Sequence, residues 1–69
     1  MSATIQVNGQ NQPLPKEGLA DVLRELNIKP GQRGIAVALN GAVVPRAQWP
    51  RTSLRDGDAV EVVKLFAGG

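Results

Sequence analysis

The chain has 69 residues, 42% of them hydrophobic, with eight Lys and Arg, six Asp and Glu, no Cys and no His. That length fits one small domain, with about 60% of its unfolded surface buried and little room for a substrate pocket beside the core. It carries neither a thiol nor an imidazole for nucleophilic, acid–base or metal chemistry, and its net charge of +2 is spread from Lys16 to Lys64 beside one Trp and one Phe, not the clustered cations and stacking aromatics of a nucleic-acid binder.

The opening "MSATIQVNG" lacks the basic-then-apolar pattern of a signal peptide, and no apolar run approaches the roughly 20 residues of a membrane span, so a cytoplasmic protein is expected. Asn8-Gly9 separates two extended stretches and predicts a type I′ hairpin pairing Ala3–Val7 with Gln10–Leu14. Leu19, Val22, Leu23 and Leu26 fall at i, i+3, i+4 and i+7, one face of an amphipathic helix. Gly18 is its N-cap, Asp21 suits the first turn, and Asn27 followed by Pro30-Gly31 ends it. Asn40-Gly41 predicts a second hairpin, Gly34–Leu39 with Ala42–Val44. The "PRAQWPRT" crossover and a turn at Asp56-Gly57-Asp58 lead to a Val-rich last strand, Ala59–Phe66.

The order ββαβββ places one helix on one face of a mixed five-stranded sheet, with the last strand between the hairpins: an α+β fold of ubiquitin-like β-grasp type. Ile35, Val37 and Leu39 share a face, opposite Ala36 and Ala38. Ile5, Val7, Leu14, Leu54, Val60 and Val62 join them in the helix-facing core, and Trp49 anchors the crossover. Residues 1–66 form the domain and 67–69 a flexible tail.

No convergent set of catalytic groups stands out. Asp21 and Glu25 are helix-surface neighbours, Asp56 and Asp58 suit Asx-type turn bonding, and "DGD" supplies too few oxygens for a calcium site. An independent enzyme is not expected, nor a bound cofactor or metal. The ending "KLFAGG" is the distinctive feature. Gly68 and Gly69 have no Cβ, so they can thread a narrow partner channel and present the Gly69 carboxylate to a reactive atom. Adenylation of that carboxylate by a partner would turn a poor acyl donor into a good one.

With the segments "ALNGAVVPRAQW" (Ala38–Trp49), "LRDGDAVEVV" and the final "AGG", the chain resembles, over essentially its whole length, the small sulfur carrier proteins of thiamine biosynthesis. The resemblance implies a carrier, not an enzyme. A ubiquitin-activating-like adenylyltransferase uses Mg-ATP to adenylate the Gly69 carboxylate. A cysteine desulfurase or other persulfide donor helps convert it to a thiocarboxylate, and thiazole synthase takes the sulfur. Val63 and Leu65 alternate out of register with Val60 and Val62, so they form an apolar docking patch on the sheet face away from the helix. Phe66, Ala67 and Gly68 enter the partner's groove, and Arg46 either pairs with an acidic partner surface or caps local carbonyls. The free carrier is expected to be monomeric. A molybdopterin-synthase-type sulfur carrier shares the fold and tail, and a non-catalytic β-grasp binding module would leave the tail idle.

Overall fold

A computed structural model describes residues 2–29 and 31–65. The first hairpin pairs β1 (Thr4–Val7) with β2 (Gln10–Pro13), and the second pairs β3 (Ile35–Leu39) with β4 (Ala42–Val43). Both turns have positive φ at both central residues, 51° and 84° at Asn8-Gly9 and 51° and 85° at Asn40-Gly41, as a type I′ turn requires. Each pairing extends slightly past the strands, through Leu14 N–H to the Ala3 carbonyl at 3.0 Å and Val44 N–H to the Val37 carbonyl at 2.8 Å.

The last strand, β5 (Ala59–Lys64), lies at the centre of the sheet order β2-β1-β5-β3-β4, parallel to β1 and antiparallel to β3. The turn asparagines also tie both hairpins to it: Asn8 Oδ1 accepts from the Val62 N–H at 2.8 Å, and Asn40 Oδ1 from the Ala59 N–H at 2.9 Å. Thus the same two residues supply a backbone shape and a side-chain acceptor. The strand ends at Lys64, opposite Ile35 at the start of β3 and so short of the expected Phe66, although the Leu65 N–H still bonds to the Gly34 carbonyl. Phe66 and the 66/67 domain–tail boundary lie outside the described residues, as does the expected flexibility of 67–69.

The helix α1 (Leu19–Glu25) follows the apolar stripe: Leu19, Val22 and Leu23 are buried and Leu26 is half-buried. It closes in a Schellman motif, with Asn27 at φ 61°, its N–H on the Arg24 carbonyl at 3.0 Å, and the Ile28 N–H on the Leu23 carbonyl at 2.9 Å. Ile28 and Leu23 supply the accompanying apolar pair, both within the core cluster. Ile5, Val7, Leu54, Val60 and Val62 are buried there as expected, while Leu14, Ile35 and Leu39 pack half-buried against it. Ile28 is the addition, drawn in by the turn after the helix.

The crossover contains a 3₁₀ segment, Arg46–Arg51. Pro45 presets its entry, and the Gln48 N–H bonds back to the Pro45 carbonyl at 2.8 Å. Trp49 is buried in this segment and donates its Nε1–H to the Val44 carbonyl at 2.8 Å, which satisfies its polar edge.

The Asp56-Gly57-Asp58 turn is locked by carboxylates, but not by the expected Asx-type bonds: the donors are the distant Thr4 and Asn40 and the preceding Arg55, not the N–H two residues on. Asp56 Oδ1 accepts from the Thr4 N–H at 2.8 Å, and Asp58 accepts from Asn40 Nδ2 at 3.0 Å and the Arg55 N–H at 2.8 Å. The Asn40 amide, then the Arg55 N–H, hold the Asp58 carboxyl below its ordinary range. A lowered folded-state value means that this contribution to stability is complete above the unfolded value of about 4 and is lost as pH falls through the folded value. Urea midpoints measured from neutral pH down to about pH 2 therefore fall more for the parent chain than for Asp58→Asn, which has no proton to take up at this position.

Candidate functional site

The site grows out of the end of β5. Pairing of β5 with β3 places Val60 opposite Leu39 and Val62 opposite Val37, with these side chains toward the helix; Val60 and Val62 are 1% and 8% exposed. The alternate residues face outward. Val63 pairs with Ala36, Glu61 with Ala38, and Ala38 with Val43 on the other side. The outer face near the C-terminal end of β5 thus carries Ala36, Ala38, Val43 and Val63, with the exposed Glu61 beside Ala38. Val43 is 77% exposed and Val63 49%, and Leu65, one residue beyond the strand, is 61% exposed. The other half of that face, from Thr4, Gln6 and Asn11, is polar.

The structure brings Val63 to an exposed apolar patch with Leu65 exposed beside it, and enlarges the patch with Val43. Sequence alternation alone missed Val43, because a two-residue strand has too few positions to show a period; the Asn40-Gly41 turn fixes its register with Ala38. Phe66, Ala67, Gly68 and Gly69 lie outside the described residues.

Arg46 sits elsewhere. Its guanidinium lies 4.4 Å from the centroid of the Trp49 ring and donates to the Gln32 carbonyl, on the helix side of the sheet. Of the two sequence-based roles, carbonyl capping is the one seen, and the structure does not unite Arg46 with Val63 and Leu65. Arg46→Ala removes one cation–π contact and one exposed hydrogen bond. An expected loss of about 1–2 kcal/mol in urea unfolding, followed by Trp49 fluorescence, checks that role.

Below Arg46 is a feature the small size of the chain argued against: an open groove of about 390 Å³ between α1 and the 3₁₀ segment. Leu23, Ile28, Trp49 and Pro50 line it, with Arg24, Lys29 and Arg46 among its charged residues. Another, smaller groove lies between Pro15–Gly18 and Pro50–Leu54. The lining of the larger groove is apolar or cationic, so it presents no acid paired with a base. Among the described residues there is no group of three or more His, Cys, Asp or Glu placed to hold a metal ion, and no helix is long and apolar enough to cross a membrane.

A central β5 with one helix packed on one face of a mixed five-stranded sheet defines a β-grasp domain. Residues 5–69 match the ThiS family, and the chain belongs to that family. It is 40% identical over 65 residues to a sulfur carrier protein ThiS of Thermus thermophilus, an alignment covering 94% of this chain and 98% of the relative. It is 42% identical over 38 residues to the sulfur carrier protein ThiS of Escherichia coli, covering 55% of this chain and 58% of the relative. The crystal structure of a thiamine biosynthesis protein (ThiS) from Geobacter metallireducens superposes with a TM-score of 0.72 at 30% identity, covering 96% of this chain and 99% of that one.

Proposed function

We propose that this chain is a sulfur carrier for thiazole formation in thiamine biosynthesis, a protein co-substrate whose reacting atoms are those of the Gly69 carboxylate. The observation that carries the reading is the family match, which runs from residue 5 through Gly69 and so includes the terminal glycines. The exposed patch next to the root of that segment supports it.

A carboxylate oxygen of Gly69 attacks the α-phosphorus of Mg-ATP, held by an adenylyltransferase, and pyrophosphate leaves. A persulfide on a cysteine desulfurase or similar donor attacks the acyl adenylate and displaces AMP. A thiol then cleaves the resulting S–S bond, leaving the sulfur on Gly69 as a thiocarboxylate. Thiazole synthase takes that sulfur into the ring precursor, and an oxygen from the precursor or from water takes its place and restores the carboxylate. ATP and Mg act in the partner, and the carrier itself supplies no bound cofactor. Its contribution is shape: Val63, Leu65 and Val43 dock the sheet, while Phe66, Ala67 and Gly68 deliver the end of the chain.

The reading is tested by pyrophosphate release and an AMP adduct when the purified chain meets the adenylyltransferase of a thiazole-forming system and Mg-ATP. Val63→Asp places a charge in the patch and is expected to raise the half-saturating carrier concentration about ten-fold or more, the scale of a central interface residue. Absence of pyrophosphate release with the parent chain contradicts the proposal.

A further inference from the structure

Gly34 is not exchangeable for the other turn glycines. Its φ is +75°, and a Cβ built on it meets the Leu65 carbonyl oxygen at 2.7 Å, a backbone atom with no side-chain freedom to yield. The Gly34 carbonyl in turn accepts the Leu65 N–H, one step beyond the last pair of the ladder, Ile35 with Lys64. The chain before β3 therefore binds the N–H of Leu65 and leaves no room for a side chain beside its carbonyl. Gly31, three residues earlier, has a similar φ of +80°, but a Cβ there meets nothing within 4 Å.

We infer that Gly34 is a positioning residue for the C-terminal arm: its backbone holds Leu65, the described residue from which the arm starts. This rests on the carrier reading, and deepens it by naming what aims the arm. With Leu65 held, four residues follow it in sequence, and a chain of four residues reaches at most about 14 Å from its root. Releasing Leu65 adds a fifth residue to the arm and frees its direction. The arm must then be ordered when it docks, which weakens productive binding. Once the arm is seated in the partner, its end is held by the partner's own channel, so the rate of the chemical step is unaffected.

Gly34→Ala and Gly31→Ala share the strain of a side chain at positive φ, and only the first meets Leu65. Two readouts are made on the full chain. In amide exchange by NMR, Gly34→Ala is expected to speed exchange at Leu65 about five-fold, the scale of one backbone hydrogen bond, with the Val62 amide unchanged. In adenylation assays it raises KM for the carrier about five-fold and leaves kcat unchanged, while Gly31→Ala changes neither. Should Gly34→Ala fail to fold, an ester replacing the Lys64–Leu65 amide removes the Leu65 donor while keeping every side chain, and the same KM rise is expected. Equal KM values for the parent, Gly34→Ala and the ester overturn the positioning role while leaving the carrier reading intact. A parent chain that is never adenylated removes the carrier reading and, with it, the arm-aiming role, whereas the exchange result still decides whether Gly34 holds Leu65.

Discussion

Gly18→Ala is expected to destabilise the domain by about 2–5 kcal/mol, enough to unfold much of so small a protein at ambient temperature. Two effects add. Gly18 has φ 65° and ψ −139°, a region that side chains with a Cβ seldom enter. Its Cβ would also lie 2.5 Å from the Thr52 carbonyl oxygen and 3.0 Å from the Ser53 Cα, both backbone atoms. That carbonyl is already committed, since it accepts the Leu19 N–H at 3.0 Å and so satisfies one of the free donors of the first helical turn. Moving the 52–53 segment away to admit a methyl group breaks this bond and disturbs neighbouring Leu54, which is buried in the core. Gly57→Ala is the matched control: its φ is +88° with nothing within 4 Å of a Cβ, so only the backbone strain of about 1 kcal/mol is expected. Urea unfolding monitored by Trp49 fluorescence measures both. Equal losses would mean that the close approach of Thr52 contributes nothing.

Adding one residue after Gly69 is expected to abolish adenylation while leaving the unfolding free energy unchanged. The added residue moves the carboxylate onto another atom, past the position a partner's channel would present to ATP. Gly68→Val is expected to do the same by a different route, because a β-branched residue cannot adopt the backbone angles open to glycine. Among the described residues the buried cluster is built around Ile5, Leu19, Val22, Val37 and Val60, and the unfolding free energy is expected to rest there. Pyrophosphate release beside a urea titration separates the two effects. An extended chain adenylated at the normal rate contradicts the assigned role of Gly69.

These two results sit at opposite ends of what the sequence makes legible. The hairpins were readable because Asn-Gly has few conformations compatible with a tight turn, and the helix because four apolar residues share one face. Their consistency also placed the long last strand between the hairpins. What escaped was contact between segments distant in sequence. Gly18 read as an N-cap, which it is, but the close approach of the Thr52 backbone to it was not legible. Asn8 and Asn40 read as turn formers, and their side-chain bonds to Val62 and Ala59 depend on where β5 runs. The 3₁₀ segment is a single short element with two neighbouring prolines, too brief to show a period.

The candidate site divides in the same way. Alternation along β5 was enough to turn Val63 outward, and exposure at Val63 and Leu65 agrees with it. The extension to Val43 required sheet register. Arg46 stood out within "VPRAQW", but its sequence left two roles open; its position over Trp49 supplies a structural one. Gly34 gave no signal distinguishing it from Gly31, since both are single glycines in a polar turn, and only the proximity of Leu65 separates them.

The most direct test of the carrier role is the intact mass of the purified chain after incubation with the adenylyltransferase, the persulfide donor, a thiol and Mg-ATP, beside a chain lacking Gly69. The expected result is a mass increase equal to exchange of one oxygen for sulfur, located on Gly69 by fragmentation and absent from the shortened chain. Location is essential because oxidation of Met1 adds almost the same mass. A parent chain showing neither an AMP adduct nor sulfur on Gly69 would contradict the account and leave the terminal glycines without the function assigned to them.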